Sequence, residues 1–124
     1  MSRKSKKIGL ETFIFGILKS LGDIEFQKKA WVEGNWDKWS VYSEVIMTFN
    51  GWCELILKES KEYGLTDAQT AHLRKLHEMI IAFDETMPEY PTVEEHKRIL
   101  TNPKWQKIQQ YAKQVFDELK VHLT

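Results

Sequence analysis

Cysteine, proline and glycine are all scarce in this 124-residue chain, at one, three and six residues. The lone cysteine, Cys53, excludes an internal disulfide and suits a reducing compartment, so the cytoplasm is the expected location. So few prolines and glycines, with 42% apolar and 29% charged residues, exclude collagen-like, low-complexity and disordered classes. Net charge is absent too, with eighteen basic residues against eighteen acidic ones, which removes the cationic balance of a generic nucleic-acid binder. The chain also lacks a long apolar run. The longest, Phe13 to Leu18, is bracketed by Glu11, Thr12 and Lys19, too short for a bilayer span and without a cleavage site behind it. No membrane association and no secretion are expected.

Helical periodicity is abundant instead, and no useful stretch alternates with period two. Leu10, Ile14, Ile17, Leu18 and Leu21 mark a first helix ending near Gly22, where a left-handed residue costs glycine little. Asp23 caps a second through about Val32, with Phe26, Ala30 and Trp31 on its apolar side. A long third helix runs from Trp36 or Asp37 to Tyr63, stopped by Gly64. It is apolar over most of its circumference and is therefore expected at the centre. Thr66 and Gln69 form a capping box for a fourth helix, which Pro88 and Pro91 end by about Met87. Thr92 to Leu100 is a short fifth, and Asn102 with Pro103 opens the last. The expectation is one all-α domain, residues 1–124, of about six helices packed around a central long helix. A length of 124 residues suits a single core that needs no staple.

Signatures of catalysis are missing: there is no Gly-rich phosphate loop, no G-x-S-x-G and no H-E-x-x-H. His72 and His77, five apart, point about 140° away from each other on a helix and cannot readily share a metal. Cys53 falls on the face of Phe49 and Leu57 and reads as a small buried hydrophobe. Glu118 and His122, four apart, read as an ordinary helix-surface pair. His96 stands beside Glu94 and Glu95, but neighbours on a helix point in different directions. No enzyme, no cofactor and no metal site are expected.

Two segments stand out. "AWVEGNWDKW" puts Trp31, Trp36 and Trp39 within nine positions, as a docking platform or, the favoured reading, a staple at a helix corner. From Glu78 to Glu95 there are six acidic residues and no Lys or Arg. Pro88 and Pro91 force a turned link there, which gathers Asp84, Glu85, Glu89, Tyr90, Glu94 and Glu95 near one corner. Such a corner is either solvated surface or a docking site for a basic partner, with carboxylates steering association and Tyr90 as an anchor. Arg3, Lys4, Lys6 and Lys7 put +4 in the first seven residues, and a nucleic-acid-binding or regulatory module using that head is the alternative.

The segments "SLGDIEFQKKAW", "YGLTDAQ" and "NPKWQKI", spread over most of the chain, resemble small bacterial proteins encoded beside polymorphic toxins, in particular immunity proteins of contact-dependent growth inhibition systems. The resemblance implies a cytoplasmic inhibitor that binds the toxic C-terminal domain delivered by a neighbouring cell and covers its active site or substrate surface. Many such toxins are nucleases with basic substrate sites, which an acidic face would occupy. The matching segments look like scaffold and transfer no binding residue by motif.

Overall fold

A computed structural model of the chain describes residues 9–31, 42–87 and 93–123. The basic head, Trp36, Trp39, Glu89, Tyr90 and the side chain of Trp31 lie outside the described residues, and with them the tryptophan staple and part of the acidic corner. Within the described residues the chain is helical throughout, with no strand. The helices are α1 (9–21, with a π-helical middle at Phe13–Leu18), α2 (Ile24–Trp31), α3 (Tyr42–Lys58), α4 (Asp67–Asp84), α5 (Val93–Thr101) and α6 (Pro103–Leu119). A 3-10 turn, Lys120–Leu123, follows α6. The all-α fold of about six helices is as expected.

Local hydrogen-bond chemistry sets most of the helix boundaries. Asp23 Oδ1 accepts from the Phe26 N–H at 3.0 Å and starts α2. Thr66 Oγ1 accepts from the Gln69 N–H at 3.1 Å, while Gln69 Oε1 accepts from the Thr66 N–H at 2.9 Å, so both halves of the capping box are present. Asn102 Oδ1 accepts from the Lys104 N–H at 2.9 Å, and Pro103 occupies the first helical position, where its missing N–H costs nothing. Regular α3 stops at Lys58, five residues before the expected Tyr63. The chain then tightens into turns that close on Gly64, at φ 81°, with Leu65 N–H bonded to Ser60 O and Gly64 N–H to Lys61 O. This is a Schellman motif, and it tucks Tyr63 and Leu65 into the core.

Four of the helices form a closed antiparallel ring. Phe13 stacks on Phe49 at 5.7 Å, and Gly9 approaches Trp52, so α1 and α3 run in opposite directions. His72 meets Glu118, Lys75 meets Tyr111 and Phe83 meets Trp105, an antiparallel register held along the whole of α4 and α6. Phe15 packs on Phe116 and Gly22 on Lys113, which returns α6 to α1. Helices α3 and α4 are joined by the tight 59–66 link and pack together, with Phe49 against His77. Helices α2 and α5 pack on each other, and α5 also packs on α6.

Among the described helices, α6 has more packed neighbours than the Tyr42–Lys58 part of the expected Trp36–Tyr63 helix. Helix α6 buries Trp105, Ile108, Ala112, Val115 and Leu119 and touches α1, α4 and α5, whereas the main described neighbours of α3 are α1 and α4. One face of α3 is consequently open: Met47 is 71% exposed, and Gly51 and Leu55 lie on the same side. Its apolar circumference therefore overstated its burial. Gly22 ends α1 as expected but for a different reason. Its φ is −88°, and what requires glycine is space, because a Cβ there would lie 3.1 Å from the Lys113 backbone.

The buried side of α2 also departs from its expected apolar row. Phe26 is 36% exposed, while Gln27, at 1%, points inward. Its amide Nε2 donates to the Ser20 and Leu21 carbonyls, both at 2.9 Å, and its Oε1 accepts from Trp105 Nε1 at 3.0 Å. With every polar atom partnered, a buried amide ties α2 to the end of α1 and to α6.

Candidate functional site

Among the described residues, Cys53, His77 and His96 are buried. Cys53 is fully buried, and its thiol is pushed far up, first by burial and then by the Glu54 carboxylate, so it stays protonated as a core side chain. Burial holds His77 below the usual imidazole range, against the opposing pull of Glu54 and Glu78. It packs edge-on to Phe49 as a neutral ring, and its Nε2 has no hydrogen-bond partner. His96 is wholly buried. Glu118 pairs with His72 on α4, Oε2 to Nδ1 at 2.7 Å, while the side chain of His122, its expected partner, lies outside the described residues. Among the described residues no three metal-ligating side chains converge.

Four of the six residues of the expected acidic corner are described. Asp84 is the last residue of α4 and half-buried, and Glu85 follows it, exposed. Glu94 and Glu95 sit in the first turn of α5, where acidic side chains suit the helix dipole. Glu94 is exposed and paired with Lys97 at 3.2 Å, and Glu95 is half-buried. Glu89 and Tyr90 lie outside the described residues.

Asp84 and Glu85 are placed differently. Carboxylates at a helix C-terminus add to the negative end of the macrodipole instead of neutralising it, and α4 carries no basic residue in its last turn. Across from them the reverse holds. Helix α6 has no acidic residue in its first turn but carries Lys104 there and Lys107 one turn on. Neither lysine forms an ion pair with a described residue, and both are exposed.

The Phe83–Trp105 contact, 5.4 Å between ring centroids, sets the end of α4 beside the start of α6. Between them lies a pocket of about 250 Å³ lined by Met79, Ala82, Phe83 and Thr86 of the α4 side and Lys104, Lys107 and Ile108 of α6. Thr86 Oγ1 donates to the Phe83 carbonyl at 2.7 Å and so presents its methyl side. The sequence expectation did not single out the basic rim of Lys104 and Lys107. Its signal was present in "NPKWQK", a capped helix start followed by lysine where an acidic residue is favoured.

No family model matches the chain, and neither curated proteins nor solved structures include a match to it. The site therefore has to be argued from its own geometry.

Two other depressions mark the surface of the described residues. A mainly apolar groove of about 480 Å³ lies between α1 and α3, lined by Thr12, Gly16, Ile17, Ser20, Val45, Thr48 and Trp52. A second, of about 420 Å³, runs between the end of α1 and α6, where Lys19 and Lys113 mix with Asp23, Glu25 and Asp117. The first has no charge to select an occupant, and the second has both signs intermingled.

Proposed function

We propose that the chain is an immunity protein of the polymorphic-toxin type, a stoichiometric inhibitor that binds the toxic domain encoded beside it and covers its active or substrate-binding surface. The observation that carries this reading is the charge at the end of α4. Glu85 is exposed at the C-terminal end of α4, where a carboxylate gives its own helix no support, so a role in contacting something basic would account for it. A nuclease's phosphate-binding surface is a basic partner of that kind. The resemblance of the scaffold segments to immunity proteins points the same way.

The test is co-expression with the C-terminal domain of the protein encoded immediately upstream. Growth should be rescued by this chain, and the purified pair should form a complex of fixed stoichiometry. Charge reversal at Glu85 and Glu89 together should weaken that complex by about 1 kcal/mol or more and flatten its salt dependence. Unchanged affinity and salt dependence in the double variant would remove the acidic corner from the interface. Absence of rescue and of complex would remove the inhibitor reading itself.

A further inference from the structure

Helix α3 carries an apolar face that the described part of the fold leaves open. Glu44, Met47, Gly51, Leu55 and Lys58 fall within about 80° of one another on a helix of 3.6 residues per turn, and all of them are exposed. Met47, at 71%, is the most exposed large apolar side chain among the described residues. Glycine in the middle of a helix weakens it relative to alanine, and the chain's own packing does not ask for one at 51, since a Cβ there meets nothing within 4 Å. What a glycine so placed permits is the close approach of another backbone. Thr48 and Trp52, beside the stripe, lead into the apolar groove between α1 and α3 and extend the same surface.

The stripe is symmetric about Gly51. Met47 and Leu55 stand four residues to either side of it, and Glu44 and Lys58 seven. Turned end for end against itself, the stripe lays Met47 on Leu55, Glu44 on Lys58 and glycine on glycine. Neither charged residue forms an ion pair with a described residue. Both suit the dipole of their own helix, so it is the apolar middle that marks the face, and the charged ends select what covers it. Glu54, the other carboxylate of this stretch, is on the α4 side, where it acts on His77.

We propose that the occupant is a second copy of this chain, with the two α3 helices packed antiparallel across a two-fold axis at Gly51. Such an interface is isologous: each Met47 meets the Leu55 of the other protomer and each Glu44 the other Lys58, so every contact is made twice. One stripe with its adjoining groove is a small interface, which places the association in the micromolar range. The pairing is independent of the inhibitor reading, because Glu85, Glu94 and Glu95 lie on or beside other helices.

Sedimentation equilibrium of the full chain between about 5 and 500 µM tests this, with circular dichroism melts to establish that each variant is folded. The unaltered chain should pass from monomer to dimer across that range. M47E should raise the dissociation constant about tenfold or more, by burying a carboxylate against Leu55. E44K and K58E should each raise it about fivefold or more at low salt by setting like charges together. An equimolar mixture of those two variants should restore the dimer, because every pair across the mixed interface is again of opposite sign. G51A should weaken the dimer about threefold or more while raising the melting temperature, so its effect cannot be loss of fold. A chain that stays monomeric at the highest concentration, a dimer indifferent to M47E, or single charge variants that do not recover on mixing would overturn the proposal.

Discussion

Gln27→Leu is the most informative single perturbation of the fold, since it removes three hydrogen bonds at nearly constant volume from a side chain that is fully enclosed. The heaviest loss is at Trp105, whose Nε1 donates to Gln27 Oε1 at 3.0 Å and whose ring is wholly buried. A buried donor left without a partner costs about 1–3 kcal/mol. The Ser20 and Leu21 carbonyls lose their 2.9 Å bonds as well, but these are helix-end carbonyls that water can partly serve, for about another 1 kcal/mol. The variant should therefore lose about 2–4 kcal/mol, and a chain of this length should melt about 8–15 °C lower. Urea denaturation of Q27L, W105F and the double variant checks it. Since W105F removes the donor, the double variant should be less destabilised than the two single losses added together, by about 1 kcal/mol or more. A loss below about 0.5 kcal/mol in Q27L, or strict additivity, would refute the view that this amide holds α2 to α1 and α6.

Two further outcomes are expected. The imidazole of His77 titrates below its usual range in the folded protein because burial outweighs Glu54 and Glu78, so the unfolded chain takes up its proton first as the pH falls. Its contribution is thus fully present above about pH 6.5 and declines below it. Urea titrations at pH 7.5 and 5.5 should show a smaller acid loss in His77→Phe, and an identical loss in both proteins would remove His77 as the cause. Among glycines, Gly51→Ala should stabilise by about 0.5–1 kcal/mol, because a Cβ there meets nothing within 4 Å on an exposed helix face. Gly22→Ala should cost about 1–3 kcal/mol by pressing on the Lys113 backbone, and thermal melts of the pair should move in opposite directions.

What could be read from the sequence was whatever is settled within one or two helical turns. The Thr66–Gln69 box, the Asp23 and Asn102 caps and the Gly64 stop are each decided by a side chain and a backbone group a few residues apart. Side-chain partners distant in sequence were not legible. Glu118 pairs with His72, 46 residues away, and Gln27, which a helical wheel would leave outside, is buried because Trp105 waits for it 78 residues on. The candidate site divides in the same way. A run without Lys or Arg revealed the carboxylates of Asp84 and Glu85, whereas Lys104 and Lys107 belong to the site only because α6 lies antiparallel to α4. The position of α3 was misjudged for a related reason: periodicity reports how apolar a helix is, not how many neighbours the topology supplies.

That α6 closes the ring between α4 and α1 has a consequence for the order in which the protein can be made. Synthesis delivers α6 last of the six helices, yet Trp105, Ile108, Ala112, Val115 and Leu119 are what the rest of the core packs around. Until it emerges, α3 and α4 can pair through their tight link, but Leu73, Leu76, Ile80 and Phe83 on α4 lack the surface that covers them in the finished fold. The nascent chain therefore passes through a stage in which an apolar trough is open to water, and completion is a late, cooperative closure rather than a gradual accretion. An inhibitor needed in stoichiometric amounts would then have its active supply set by how quickly that last helix docks.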